Sequence, residues 1–160
     1  MNDFFERFDP KSDCLKLSLD YIFYNFYGYY PCIRLLENCS SLWDVYHFLR
    51  QSHFQVRCQC NPLFFLNPSL AGLYLTNKMN RSSVPCEGKI AILTYSSAFE
   101  LYGILDSWNH YICEISTGAN WEIYDSYYKY IVEDYPNFNA KPLSHASILK
   151  KKTFQFVIWR

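Results

Sequence analysis

Apolar residues recur at helical spacing near the start of the chain, where polar positions separate them. Residues Ser12 and Asp13 offer an N-cap immediately before this segment, and Gly28 follows it at the position of a helix C-terminal glycine. The pattern predicts a helix over residues 14–27, which places Cys14 in its first turn. The apolar positions on its buried face are Leu15, Leu19, Ile22, Phe23 and Phe26.

Two further helices are predicted before the first strand. Pro31 can open a short helix that continues through Leu36. Ser40 and Ser41 can cap a third helix, in which Leu42, Val45, Tyr46 and Leu49 share one face. Residues 61–87 contain three prolines and several Asn and Ser residues, so this segment is predicted to be irregular, with room for one short helix.

Alternating and continuous apolar runs predict strands after the third helix. Residues 116–120, Ser-Thr-Gly-Ala-Asn, have the composition of a turn and predict a hairpin between the two strands that flank them. Helices followed by an antiparallel sheet predict an α+β fold in a single domain, residues 1–160. The predicted strands cover residues 54–58, 89–95, 99–101, 111–115, 121–125 and 153–159.

Composition and charge exclude several classes of protein. Fifteen basic and fifteen acidic residues cancel, and no basic stripe is present, so neither nucleic acid nor an anionic membrane is an expected partner. No apolar run reaches the length of a membrane span, and the first residues lack a basic secretory signal. We therefore expect a cytoplasmic protein whose seven cysteines are reduced thiols.

Cys14 is the candidate nucleophile. A thiol at a helix N-terminus lies at the positive end of the helix dipole, which favours the thiolate. Free backbone amides in the same turn can hold the oxyanion of a tetrahedral intermediate. Position alone is weak evidence, because many buried cysteines begin helices.

His110 and Asp125 are the candidate partners of this thiol. If the hairpin turn is centred between Thr117 and Gly118, His110 lies opposite Asp125 on one face of the sheet. A carboxylate there can orient the imidazole, as in a catalytic triad. The alternative is an ordinary His–Asp surface pair.

The chain resembles the bacteriocin-processing cysteine peptidases, the family that removes double-glycine leaders. This resemblance implies a papain-like fold in which Cys14 is the nucleophile, His110 the base and Asp125 the orienting carboxylate. One departure is Phe8, because the family usually has a Gln oxyanion donor about six residues before the nucleophile. The segments that carry the resemblance are 13–28, 41–51, 54–57, 109–112, 123–125 and 154–159.

The chain is also similar to thiol acyltransferases of natural-product pathways, the butirosin-type enzymes and the amide-forming enzyme of closthioamide assembly. The similarity implies transfer of an acyl group from a carrier-protein thioester to the cysteine and then to an amine. Thioesters are more reactive than amides, so a weakened oxyanion hole matters less, and we favour transfer over leader-peptide hydrolysis. Candidate substrate-binding residues are Trp108, Asn109, Tyr124 and Tyr127, although aromatic residues more often fill a core.

Two alternatives belong to other functional classes. Cys58 and Cys60, with Cys32, Cys39 or His53, can be proposed as zinc ligands, but their spacing matches no standard zinc motif. A catalytically inactive binding module with the same fold is the second alternative. The predicted enzyme itself requires neither a metal nor a cofactor.

Overall fold

The computed structural model describes residues 13–80, 83–85, 88–97, 109–116, 121–124 and 153–160. The helices are α1 (Cys14–Tyr27), α2 (Ile33–Glu37), α3 (Leu42–Gln51) and α4 (Pro68–Asn80), with a 3-10 helix at Pro62–Leu66. The strands are β1 (Gln55–Cys60), β2 (Ala91–Ser97), β3 (Asn109–Ser116), β4 (Trp121–Tyr124) and β5 (Thr153–Trp159). These helices and this antiparallel sheet confirm the α+β class. None of the helices in the described part of the chain has the length and apolar character needed to cross a membrane.

Helix α1 has the predicted limits, and local signals explain both ends. Asp13 is its N-cap residue, and its carbonyl accepts the first intrahelical bond, from the Leu17 N–H at 2.9 Å. Gly28 ends the helix in the left-handed region, with φ of 78°, and its N–H donates to the Tyr24 carbonyl at 2.8 Å. A side chain is disfavoured in that conformation, so glycine stops the helix at low cost.

Helix α3 begins with a capping box that the sequence predicted in part. The Ser41 hydroxyl accepts from the Asp44 N–H at 3.1 Å, and the Asp44 carboxylate accepts from the Ser41 N–H at 3.1 Å. These reciprocal bonds satisfy amides that the first helical turn leaves unpaired. The hydrogen bonds from the Ser40 and Ser41 amides also lower the pKa of the Asp44 carboxyl.

The interpretation of residues 61–87 as irregular was wrong over much of its length. Pro62 begins the 3-10 helix, and Pro68 begins the 13-residue helix α4. Proline is favoured at the first helical position because its missing N–H would be unpaired there and its fixed φ suits the helix. The prolines therefore start these helices rather than prevent them. The predicted strand at 99–101 lies outside the described residues.

The strands form one sheet in the order β1-β5-β2-β3-β4, with antiparallel pairing throughout. Strand β1 lies at one edge, and Asn77 of α4 covers part of that edge. The Asn77 side chain donates to the Val56 carbonyl and accepts from the Cys58 N–H, both at 2.7 Å. This buried amide takes the place of a neighbouring strand for two backbone groups.

We call the face of the sheet that packs on α1 the helix face and the opposite one the far face. The Cys113 thiol contacts the Ser18 carbonyl at 3.7 Å, and Tyr21 stacks on Tyr124 with ring centroids 4.5 Å apart, which fixes α1 on this side. The regular pairing and the two-residue period of a strand then assign the other positions. Side chains on the helix face are those of Leu93, Tyr95, Tyr111, Cys113, Ile115, Phe154, Phe156 and Ile158. Buried side chains on the far face are those of Ile92, Thr94, His110, Glu114, Ser116, Thr153, Gln155, Val157 and Trp159.

The predicted register of the β3–β4 hairpin was wrong by two residues. Cys113 pairs with Tyr124, where a turn centred between Thr117 and Gly118 would pair it with Glu122. The last pair, Ser116 with Trp121, leaves four residues for the connection instead of two. The turn-forming composition of residues 116–120 suits both lengths, so the sequence alone did not select between them.

Candidate active site

Cys14 lines a cavity of about 460 Å³ at the junction of the helices and the sheet. Its walls come from the start of α1, the connection before α3, the segment around the 3-10 helix and α4, and the ends of β2 and β3. The described lining residues are Asp13, Cys14, Leu15, Lys16, Cys39, Ser40, Ser41, Leu42, Phe64, Leu70, Tyr95 and Tyr111. A volume of this size suits a small molecule rather than a folded partner.

The position of Cys14 agrees with the sequence-based prediction. It is the first residue of α1, its side chain is 8% exposed, and it faces the cavity. The N–H groups in the first turn of a helix have no partner within the helix, and the helix dipole is positive at this end. Asp13 and Lys16 form an ion pair at 3.3 Å beside it, and they are the charged side chains among the described lining residues.

Most other described thiols are held in the neutral form. Burial and the nearby Asp44 carboxylate raise the pKa of Cys39 to about 11, and burial raises the pKa of Cys60 to about 11. Burial also raises the pKa of Cys58 above its usual range. Cys39 shares the cavity with Cys14, and its thiol donates to the Leu35 carbonyl at 3.4 Å. Cys39 is therefore an internal reference for the reactivity of Cys14.

Tyr95 and Tyr111 form the sheet side of the cavity. They pair across β2 and β3, and their ring centroids lie 5.0 Å apart. Phe64 contacts Tyr95 edge-on at 6.2 Å. The contacts hold the two phenols against the cavity that contains Cys14.

His110 is placed on the far face, while its neighbour Tyr111 faces the cavity. The side chain of His110 is buried, and it does not line the cavity. Asp125 lies outside the described residues. The structure therefore does not bring Cys14 and His110 together in one cavity, and the Cys14–His110–Asp125 triad stays a prediction.

The predicted substrate-binding residues have different positions. Asn109 begins β3, and Trp108 and Tyr127 lie outside the described residues. Tyr124 is buried and stacks on Tyr21, away from the residues that line the cavity. Its ring contributes to packing between α1 and β4.

The zinc alternative concerns Cys58 and Cys60 together with Cys32, Cys39 or His53. Over the described ranges, no group of three or more His, Cys, Asp or Glu residues is arranged to hold a metal ion. Cys58 and Cys60 lie on the same face of β1, as expected for alternate residues of a strand.

Sequence reasoning missed Cys39, Tyr95 and Tyr111 as cavity residues. The signal for Tyr111 was present in the alternation of β3, in which Tyr111, Cys113 and Ile115 are apolar or aromatic and point one way. Packing these residues on α1 turns the adjacent His110 to the other face. Cys39 carried no comparable signal, because it reaches the cavity from the connection before α3.

Searches of protein-family models, of curated proteins and of solved structures find no match to this chain.

Proposed function

We propose that this protein is a thiol acyltransferase in which Cys14 accepts an acyl group from a thioester and passes it to an amine. The observation that carries the proposal is the position of Cys14, at the first residue of α1 and in the wall of a cavity of about 460 Å³. The positive end of the helix dipole lies beside the sulfur, and the cavity gives an acyl group room next to it.

The chemistry of the leaving group favours a thioester as the donor. When Cys14 attacks a thioester, the departing thiolate is stable enough to leave without a proton. An amine that leaves from a peptide bond must be protonated, which requires a general acid such as His. No histidine is among the described residues that line the cavity. Acyl transfer from a thioester therefore fits this site better than hydrolysis of a leader peptide.

The second half of the proposed reaction forms an amide. The amine nitrogen attacks the acyl-Cys14 carbonyl, the C–S bond breaks, and the Cys14 thiolate is regenerated while the ammonium proton passes to solvent. We propose a carrier-protein thioester as the donor and a small amine or a peptide amine as the acceptor. A papain-like fold belongs to the same proposal, supported by a cysteine-bearing helix that packs on an antiparallel sheet.

Intact-protein mass spectrometry with a series of acyl thioesters tests the proposal. We expect one acyl adduct on the wild-type protein, no adduct on Cys14→Ala, and an unchanged adduct on Cys39→Ala, which removes the other described thiol of the cavity. Adding amines should convert the adduct to amide and release the free protein.

Other outcomes would contradict the proposal in distinct ways. Release of the acyl group to water alone would indicate a hydrolase, and cleavage of a double-glycine leader peptide would indicate a peptidase. Absence of any adduct with aliphatic and aromatic donors would indicate a binding module.

A further inference from the structure

The Tyr111 side chain is buried in the wall of the cavity that contains Cys14. Its residue surface is 8% exposed, and its ring packs on Tyr95 with an interplanar angle of 54°. Regular pairing of β3 with β2 fixes the backbone on one side of it. Strand pairing and the contact with Tyr95 thus place the ring in the cavity wall.

The hydroxyl group of Tyr111 has no hydrogen-bond partner within the described part of the chain. Buried tyrosine hydroxyls usually have one. This oxygen keeps some contact with solvent, and Tyr111 lines the cavity that contains Cys14. An O–H group at this position is available to a bound molecule.

Tyr111 remains a hydrogen-bond donor beside the reactive thiol. Burial, followed by the nearby Tyr95, Cys14 and Cys39 groups, raises the pKa of Tyr111 well above its usual range. A protonated phenol in this wall can donate a hydrogen bond to a negative charge that forms beside Cys14.

We propose that Tyr111 is a catalytic residue whose hydroxyl donates a hydrogen bond to the oxyanion formed when Cys14 attacks the acyl donor. This inference rests on the proposed function. The Cys14 sulfur forms a bond to the carbonyl carbon, the π electrons move to the oxygen, and Tyr111 stabilises that charge. The electrons then return, the donor thiolate leaves, and the same contact serves the attack of the amine.

Tyr111→Phe tests the role because it removes only the hydroxyl oxygen. Tyr46→Phe is the matched control, since it makes the same change at another buried tyrosine, one that does not line the cavity. Two rates are measured for each protein by mass spectrometry: acylation of Cys14 by an acyl thioester, and alkylation of Cys14 by iodoacetamide. Alkylation occurs at a saturated carbon and forms no oxyanion.

We expect Tyr111→Phe to slow acylation about 10²- to 10³-fold, the usual effect of losing one oxyanion donor. Alkylation should change less than about threefold, because it forms no oxyanion, and Tyr46→Phe should change both rates less than about threefold, because Tyr46 does not line the cavity. Equal acylation by wild type and Tyr111→Phe would overturn the inference. An equal fall in acylation and alkylation would also overturn it, because Tyr111 would then act on the thiol. Absence of acylation of the wild-type protein would instead mean failure of the proposed function, and the role of Tyr111 would fall with it.

Discussion

The two faces of the sheet are both buried, but their chemistry differs. On β5, Phe154, Phe156 and Ile158 point to the helix face, whereas Thr153, Gln155 and Val157 point to the far face. The helix face joins the main core and borders the cavity of Cys14.

The far face combines a small apolar cluster, formed by Ile92, Val157 and Trp159, with buried polar groups. Gln155 donates to the Thr94 hydroxyl at 3.1 Å, and its own side-chain oxygen is buried with no hydrogen-bond partner among the described residues. Adjacent residues of one strand therefore lie in different environments. One is the apolar main core, and the other is a face on which buried polar groups need hydrogen-bond partners. The same alternation decides that Tyr111, and not His110, faces Cys14.

The largest expected effect is a loss of stability when a buried apolar side chain is truncated. It is compared at two consecutive residues of β2. Leu93 is fully buried in the main core, and Ile92 belongs to the smaller cluster on the far face. We expect Leu93→Ala to lower the free energy of unfolding by about 4 kcal/mol and Ile92→Ala by about 2 kcal/mol, because the cost depends on the surrounding packing. Urea denaturation measures both. Equal losses, or a larger loss at Ile92, would break the distinction between the faces.

The next effect concerns a buried carboxyl group of the far face. Burial raises the pKa of Glu114 from 4.5 to about 7. The folded state therefore binds this proton more tightly than the unfolded state, and stability decreases as the pH rises from about 4.5 through 7. Glu114→Gln should remove this pH-dependent loss of stability. Its free energy of unfolding should exceed that of wild type by about 3 kcal/mol at pH 8 and differ little from it at pH 4.

The measurement is the difference between the unfolding free energies of wild type and variant across that pH range. Glu37→Gln, at an exposed carboxyl of α2, is the control and should show no comparable rise with pH. A Glu114→Gln difference that stays constant with pH would contradict the buried, proton-binding state of this carboxyl group.

The smallest expected effect is on catalysis, at His110. We expect His110→Asn to change the rate of Cys14 acylation by less than about tenfold, because the imidazole lies on the far face and general acid–base catalysis needs hydrogen-bond reach. His53→Asn, at an exposed histidine, is the control, and thermal unfolding of both variants detects any loss of fold. A specific loss of about 10²- to 10⁴-fold at His110 would restore the predicted triad and contradict the assignment of faces.

Part of the fold was predictable because its signals are local. The limits of α1 follow from apolar spacing and Gly28, and the start of α3 follows from the Ser41 cap. Helix α4 was missed because Pro68 was interpreted as a break rather than as a first helical residue. The β3–β4 register was missed because turn composition does not fix loop length, and a strand pair is set by contacts distant in sequence.

By itself, the sequence determined a cysteine at the first residue of an amphipathic helix and an α+β chain. Each of these depends on residues within a few positions of one another. Only the tertiary structure decided that Cys39, Tyr95 and Tyr111 surround that cysteine and that His110 does not line its cavity. The physical reason is that side chains alternate along a strand, so the packing of β3 on α1 assigns each neighbouring residue to one face or the other.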